Sequence, residues 1–141
     1  MQSIEDKDIS TGIILYGKII SGLGEGKVFV ELPWAKAQFI DKVGIDPYPG
    51  TLNLKLENPE ALKGLQKLRE LPGIIIIPDN PAFCQGKCYK IMIQGKIPGA
   101  IVIPLVPEYP NDKLEIISPY NLKELLKVQD GAEITVTFSH G

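Results

Sequence analysis

The sequence predicts a mainly β, single-domain fold, a closed barrel of six or seven strands with two or three short peripheral helices. Three observations predict it. Short apolar runs with strand-like alternation recur along the 141 residues, each bounded by turn residues. Only two or three stretches carry helical spacing instead. Twelve prolines and fourteen glycines supply barrel corners and loop ends, and closure removes exposed sheet edges.

Taken in order, residues 12–20 and 27–32 read as two strands joined by a glycine loop. Residues 35–42 suit a short helix. In Asp46-Pro47-Tyr48-Pro49-Gly50 the prolines fix φ and bias their predecessors to extended geometry, so a turn is expected. Residues 51–56 then alternate polar and apolar, as a half-buried strand does. Asn58-Pro59-Glu60 carries an N-cap, a proline at N1 and an acid in the first turn. The helix it starts runs to about Leu71, with Leu62, Leu65 and Leu68 at helical spacing. Strands follow at 73–77, 88–94, 100–104 and 114–117. Ser118-Pro119 caps a short helix through about Leu126, and Asp130-Gly131 turns into a last strand at 133–138. The barrel domain is thus expected over residues 12–138, with residues 1–11 a flexible N-terminal segment and 139–141 a tail.

Composition narrows the function classes. The chain has 44% hydrophobic and 23% charged residues, ordinary values for a soluble globular protein. A net charge of -2 argues against broad binding to a nucleic-acid backbone, which needs clustered Lys and Arg. No apolar run approaches the roughly 18 residues of a membrane helix, and the polar, acidic N-terminus reads as neither signal nor transit peptide. A cytoplasmic protein is expected, with no membrane or nucleic-acid partner and a monomeric state. Cys84 and Cys88 flank Gln85-Gly86-Lys87, which reads as a hairpin turn placing the thiols across from each other. With His140 as the single histidine they cannot complete a structural zinc site. Reduced thiols are the expectation, a redox pair the alternative.

Three segments carry candidate chemistry. In the first, Gly22, Leu23, Gly24, Glu25, Gly26 and Lys27 place glycine at every second position before a strand-like run. Glycine reaches positive φ and allows close ligand approach, and successive N–H groups in such a turn can form an anion-binding nest. The spacing is not that of a Walker loop, and the strand context is not that of a dinucleotide fingerprint. The loop alone leaves a flexible connection and a phosphate cradle equally open. The second segment is Pro49-Gly50-Thr51-Leu52-Asn53. On a strand, Thr51 and Asn53 point to one face, where a hydroxyl and an amide oxygen can join phosphate and water oxygens around Mg²⁺. A plain polar outer face is the alternative. In the third, Glu115 precedes Ile116-Ile117-Ser118-Pro119, and its carboxylate faces either solvent or a cleft.

Together, Ser-Gly-Leu-Gly-Glu-Gly, Pro-Tyr-Pro-Gly-Thr-Leu-Asn-Leu, Gly-Ala-Ile-Val-Ile-Pro and Glu-Ile-Ile-Ser-Pro resemble the archaeal CTP-dependent riboflavin kinases, in the same order, from about Gly17 to Phe138. The resemblance implies a cradle-loop (RIFT-type) barrel that transfers the γ-phosphate of CTP to the 5′-hydroxyl of riboflavin, giving FMN and CDP. Some members carry an N-terminal winged-helix domain; this chain looks like the stand-alone catalytic form. Carried over by position, the resemblance assigns Gly22 to Lys27 to the nucleotide phosphates and Thr51 and Asn53 to one Mg²⁺. It assigns Glu115 to the flavin, and Tyr120, Asn121, Leu122 and Lys123 to the cytidine nucleotide.

The sequence also departs from the family. Where many members have a basic pair and then Thr, a flavin contact, it has Leu105-Val106-Pro107, and proline offers neither hydroxyl nor N–H. Glu108 beside it is the candidate to substitute as a hydroxyl acceptor. Leu122-Lys123 replaces the usual Leu-Arg, keeping the charge but losing the planar fork.

The expected mechanism is positioning and charge neutralisation. Lys27 supplies a point charge at the phosphates. Glu115 orients the ribityl end and is the candidate acceptor of the hydroxyl proton. Tyr48, Tyr109 and Tyr120 are candidates to stack on a ring or to pack in the core. Two other readings stand beside this one: a non-catalytic flavin- or nucleotide-binding barrel, motivated by Pro107, and a DNA-binding barrel dimer, which the lack of a basic stripe disfavours.

Overall fold

The structure is a computed structural model that describes residues 12–21 and 30–139. Among the described residues, seven strands alternate with three short α-helices: β1 (Ile13–Ile20), α1 (Pro33–Gln38), β2 (Leu52–Lys55), α2 (Pro59–Arg69), β3 (Ile74–Ile76), β4 (Gly86–Ile93), β5 (Ile97–Pro104), β6 (Lys113–Ile117), α3 (Leu122–Leu126) and β7 (Glu133–Phe138). Neighbouring strands run β4-β5-β6-β2-β1-β7, and β7 pairs back onto β4, so six antiparallel strands close a barrel. The edge of β4 is shared. Its first half takes the added strand β3 (Ile76 opposite Gly86), and its second half takes β7 (Ile93 opposite Val136). Closure at β4 is what leaves the barrel without a free edge there.

Alternation along each strand sorts side chains into two cores. Leu15 and Ile19, Leu52 and Leu54, Tyr89 and Ile91, Leu114 and Ile116, and Ile134 and Val136 fill the barrel. Helix α2 caps this core with Ala61, Leu65 and Leu68. The opposite faces of β4, β5 and β6 present Cys88, Ala100, Val102 and Ile117 outward. Val30, Ala35, Phe39, Val43 and Ile45 cover them and form a second core on the outside of the barrel.

Several local expectations are corrected. Half of the predicted second strand at 27–32, residues 27–29, falls outside the described residues, but Val30 and Glu31 are helical. Val30 is buried in the outer core, and Pro33 then opens α1. The helix expected at 35–42 begins earlier, at Pro33, and changes at Phe39–Val43 to a π-helical turn ended by Gly44 at φ +79°. Asn121, not Ser118, caps the helix after Pro119, its side chain accepting from Glu124 N at 3.3 Å. The segment Gln85-Gly86-Lys87 is not a hairpin turn: Gly86 and Lys87 already belong to β4, opposite Pro104 and Ile103. Cys84 and Cys88 therefore lie along one strand direction rather than across a turn, and both are free thiols. Burial pushes the Cys88 thiol up from an ordinary value of 9.0 to about 12, partly offset by Lys42.

Candidate active site

The turn before β2 sets the first half of the site. Gly50 has φ +102°, a region that L side chains rarely adopt, and it swings the chain from Pro49 into Thr51. Pairing of β2 with β1 on one side and β6 on the other then fixes Asn53. It sits directly between Ile20 of β1 and Glu115 of β6. Leu52 and Leu54 point into the barrel, so Thr51 and Asn53 share the outer face. Residues directly opposite on an antiparallel pair face the same side, with Cβ atoms about 5 Å apart. Asn53 and Glu115 are thus neighbours on the outside of the barrel, where the outer core ends.

Asn53 is buried, 6% exposed, whereas Thr51 and Glu115 are half-buried. The Asn53 Nδ2 lies 3.4 Å from Thr51 O and 3.5 Å from Thr51 Oγ1, both long contacts. Its Oδ1 receives no hydrogen bond from the described residues, an orphaned acceptor at a buried position. The two ends of the amide have the same shape, and exchanging them brings Oδ1 beside Thr51 Oγ1. Two neutral oxygens so close fit one hard cation whose remaining ligands come from phosphate and water. No cluster of three or more His, Cys, Asp or Glu suited to a metal occurs among the described residues, so a cation here depends on anionic ligands from a substrate.

Glu115 is held from the β5–β6 loop. The Tyr109 hydroxyl donates to Glu115 Oε2 at 2.5 Å, and Lys113 Nζ lies 6.0 Å from the Tyr109 ring centre. Burial, and then the Glu115 carboxylate, push the Tyr109 phenol well above its ordinary range, so it remains the donor. Pro107 and Glu108 lie exposed in the same loop, and it is Tyr109 rather than either of them that makes the polar contact with Glu115. Sequence reasoning offered Tyr109 only as a ring to stack on a ligand or to pack in the core; its hydroxyl contact with Glu115 had no signal in spacing.

A cleft of about 180 Å³ opens on the other side of Thr51. Tyr48 to Leu52 form one wall, and Ser118 with Tyr120 to Lys123 form the other. The walls are tied together: Tyr48 N donates to Ser118 O at 2.8 Å, and Asn121 Nδ2 donates to the Tyr48 hydroxyl at 3.3 Å. Ser118 is buried; its Oγ donates to Pro98 O at 3.0 Å and accepts from Tyr120 N. The four residues expected at a nucleotide divide by role. Asn121 uses its amide for the helix cap and Tyr48, and Leu122 is buried in the barrel core. Tyr120 and Lys123 present exposed side chains, Lys123 paired with Asp130 at 2.6 Å. Gly22 to Lys27, the expected phosphate loop with its candidate Lys27, lie outside the described residues. The chain leads into them from Ile20, the residue paired with Asn53.

Comparison with known proteins places the chain in a family. The CTP-dep_RFKase family model, described as "Domain of unknown function DUF120", matches residues 19–138. A riboflavin kinase of Methanosarcina mazei is 40% identical over 124 residues, covering 85% of this chain and 54% of that protein. One from Saccharolobus solfataricus is 35% identical over 144 residues, covering 96% of this chain and 80% of that protein. One from Archaeoglobus fulgidus is 41% identical over 127 residues, covering 88% and 54%. The chain therefore spans about half the length of two of these relatives and four-fifths of the third.

Proposed function

We propose that this chain, which belongs to the CTP-dependent riboflavin kinase family, transfers the γ-phosphate of CTP to the 5′-hydroxyl of riboflavin, giving FMN and CDP. The observation that carries the reading is the pairing of Asn53 with Glu115 across β2 and β6. It sets an orphaned amide oxygen suited to a phosphate-bound cation beside a carboxylate suited to an alcohol. Phosphoryl transfer needs those two partners side by side, because the protein contributes mainly positioning and charge stabilisation.

In this reading the cytidine occupies the cleft between Tyr48 to Thr51 and Tyr120 to Lys123, with Tyr48 and Tyr120 as its exposed rings. The phosphates run from there past Thr51 toward the segment Gly22 to Lys27, where Lys27 is the point charge. Thr51 Oγ1 and Asn53 Oδ1 would hold Mg²⁺ together with phosphate and water oxygens; when bound, the ion neutralises charge on the phosphate oxygens. Tyr109 occupies Glu115 Oε2, so Oε1 is left to accept from the riboflavin hydroxyl. The hydroxyl oxygen forms its bond to the γ-phosphorus, the bond from that phosphorus to the β,γ-bridging oxygen breaks, and CDP leaves with the electron pair. Glu115 orients the hydroxyl and is the nearest base for its proton. The reading takes one chain as the working unit, in the cytoplasm.

Asn53→Ala tests it. FMN formation at saturating Mg²⁺ is expected to vanish, while the thermal transition and riboflavin binding persist. Undiminished turnover would remove the cation assignment. Binding of riboflavin and CDP by the unaltered protein with no FMN formed would favour a non-catalytic barrel, the alternative that Pro107 motivates.

A further inference from the structure

We infer that Asp130 is a positioning residue for the nucleotide, a single carboxylate that holds Lys123 of the cleft against the end of β1; the inference rests on the reading of the cleft as a CTP site. Asp130 lies in the turn between α3 and β7 and uses both carboxylate oxygens. Oδ1 accepts from Lys123 Nζ at 2.6 Å, and Oδ2 accepts from Ser21 Oγ at 2.5 Å. Lys123 lines the cleft, and Ser21 follows Ile20, the β1 residue paired with Asn53. One group thus touches both the cleft wall at Lys123 and the end of β1 at Ser21.

The turn that carries it is anchored by backbone. Gly131 N donates to Ile19 O at 2.8 Å, and Ile19 N donates to Ala132 O at 2.9 Å, which ties the turn to the end of β1. On the helix side, Lys127 adopts φ 56°, and Val128 N donates to Lys123 O at 3.0 Å. The carboxylate therefore has fixed supports toward both partners. The Lys123 and Ser21 hydrogen bonds hold its carboxyl below the usual carboxylate range.

Stability does not account for this arrangement. The side chains of Lys123 and Asp130 are 45% and 47% exposed, and ion pairs at such sites contribute little to folding. Their effect belongs to orientation. Without Asp130, the long Lys123 side chain is free to leave the cleft, and Ser21 loses its tether next to the Ile20–Asn53 pair. The cost then falls on nucleotide binding and leaves the flavin side untouched.

The test is steady-state FMN formation by the full chain with Asp130→Asn and Asp130→Glu. Asp130→Asn is expected to raise KM for CTP and Kd for CDP about two- to fivefold, the size of an exposed pair. The kcat and the KM for riboflavin stay near their original values, and Asp130→Glu recovers part of the loss. In Lys123→Ala, adding Asp130→Asn produces a smaller further increase than in the unaltered chain. An unchanged CTP KM in Asp130→Asn would overturn the inference, as would equal losses on both substrates with a lowered melting temperature. Failure of the unaltered protein to make FMN from CTP is a separate result, which overturns the CTP reading and this inference with it.

Discussion

The Tyr109 hydroxyl donates a 2.5 Å hydrogen bond to the Glu115 carboxylate, joining the β5–β6 loop to the outer face of β6. Glu115 in turn stands opposite Asn53 on β2. The loop that carries Pro107 thus reaches the Glu115 carboxylate through a residue two positions on, and orients the group proposed to face the flavin.

Tyr109→Phe removes that donor and keeps the ring. Hydrogen bonds to charged groups contribute about 1.5–3 kcal/mol, so kcat/KM for riboflavin should fall about 10- to 100-fold. The KM for CTP should not move, because Tyr109 does not line the nucleotide cleft. Kinetics with each substrate varied in turn check this; an equal rise in both KM values would contradict it.

Gly50→Ala tests the turn that aims Thr51. At φ +102° a Cβ would meet no atom within 4 Å, so the cost is conformational rather than steric. Left-handed geometry costs about 1–2 kcal/mol for a residue with a side chain. An unfolding free energy lower by that amount is expected, read as a lower urea midpoint, together with a higher KM for CTP as Thr51 shifts. Unfolding and kinetics on one preparation give both.

The buried Cys88 thiol sets an alkaline limit on stability. Its value is raised from 9.0 to about 12, and burial likewise raises the Tyr89 hydroxyl to about 12, with Arg69 opposing. Both groups stay protonated in the folded chain where the unfolded chain releases protons. Their contribution is full below the unfolded values and is lost as pH rises toward 12. Urea midpoints should therefore decline above about pH 9. Cys88→Ala should lessen the decline, at some cost in packing. At pH 8 iodoacetamide should modify Cys84 in the native protein and reach Cys88 only after unfolding.

What the sequence made legible was local. Asn58-Pro59-Glu60 announced α2, and Asn58 Oδ1 does accept from Glu60 N at 2.8 Å, because a cap is a contact between near neighbours. Strand β7 has the predicted bounds, since its alternation and the Asp130-Gly131 turn both lie within a few residues. Val30 and Glu31 misled because Val-Phe-Val-Glu-Leu mimics a half-buried strand; burial of Val30 against Ala35 and Phe39 is a tertiary fact. Gly86 misled because glycine usually marks a turn, yet here it is buried between Ile76 and Pro104. At the site, the shared face of Thr51 and Asn53 followed from period-two alternation. The opposition of Asn53 to Glu115 did not, because strand register across 62 positions depends on the closed barrel. The Asp130 contacts to Ser21 and Lys123 were equally hidden, the first spanning 109 positions.

The central claim is that the outer face around Asn53 and Glu115 transfers a phosphoryl group from CTP to riboflavin. The most direct measurement incubates the chain with riboflavin and Mg²⁺ and, separately, CTP, ATP, GTP or UTP, and quantifies FMN. The account predicts FMN and an equal amount of CDP with CTP, and far less FMN with the other three. No FMN with any nucleotide, or equal yields from ATP and CTP, would contradict it.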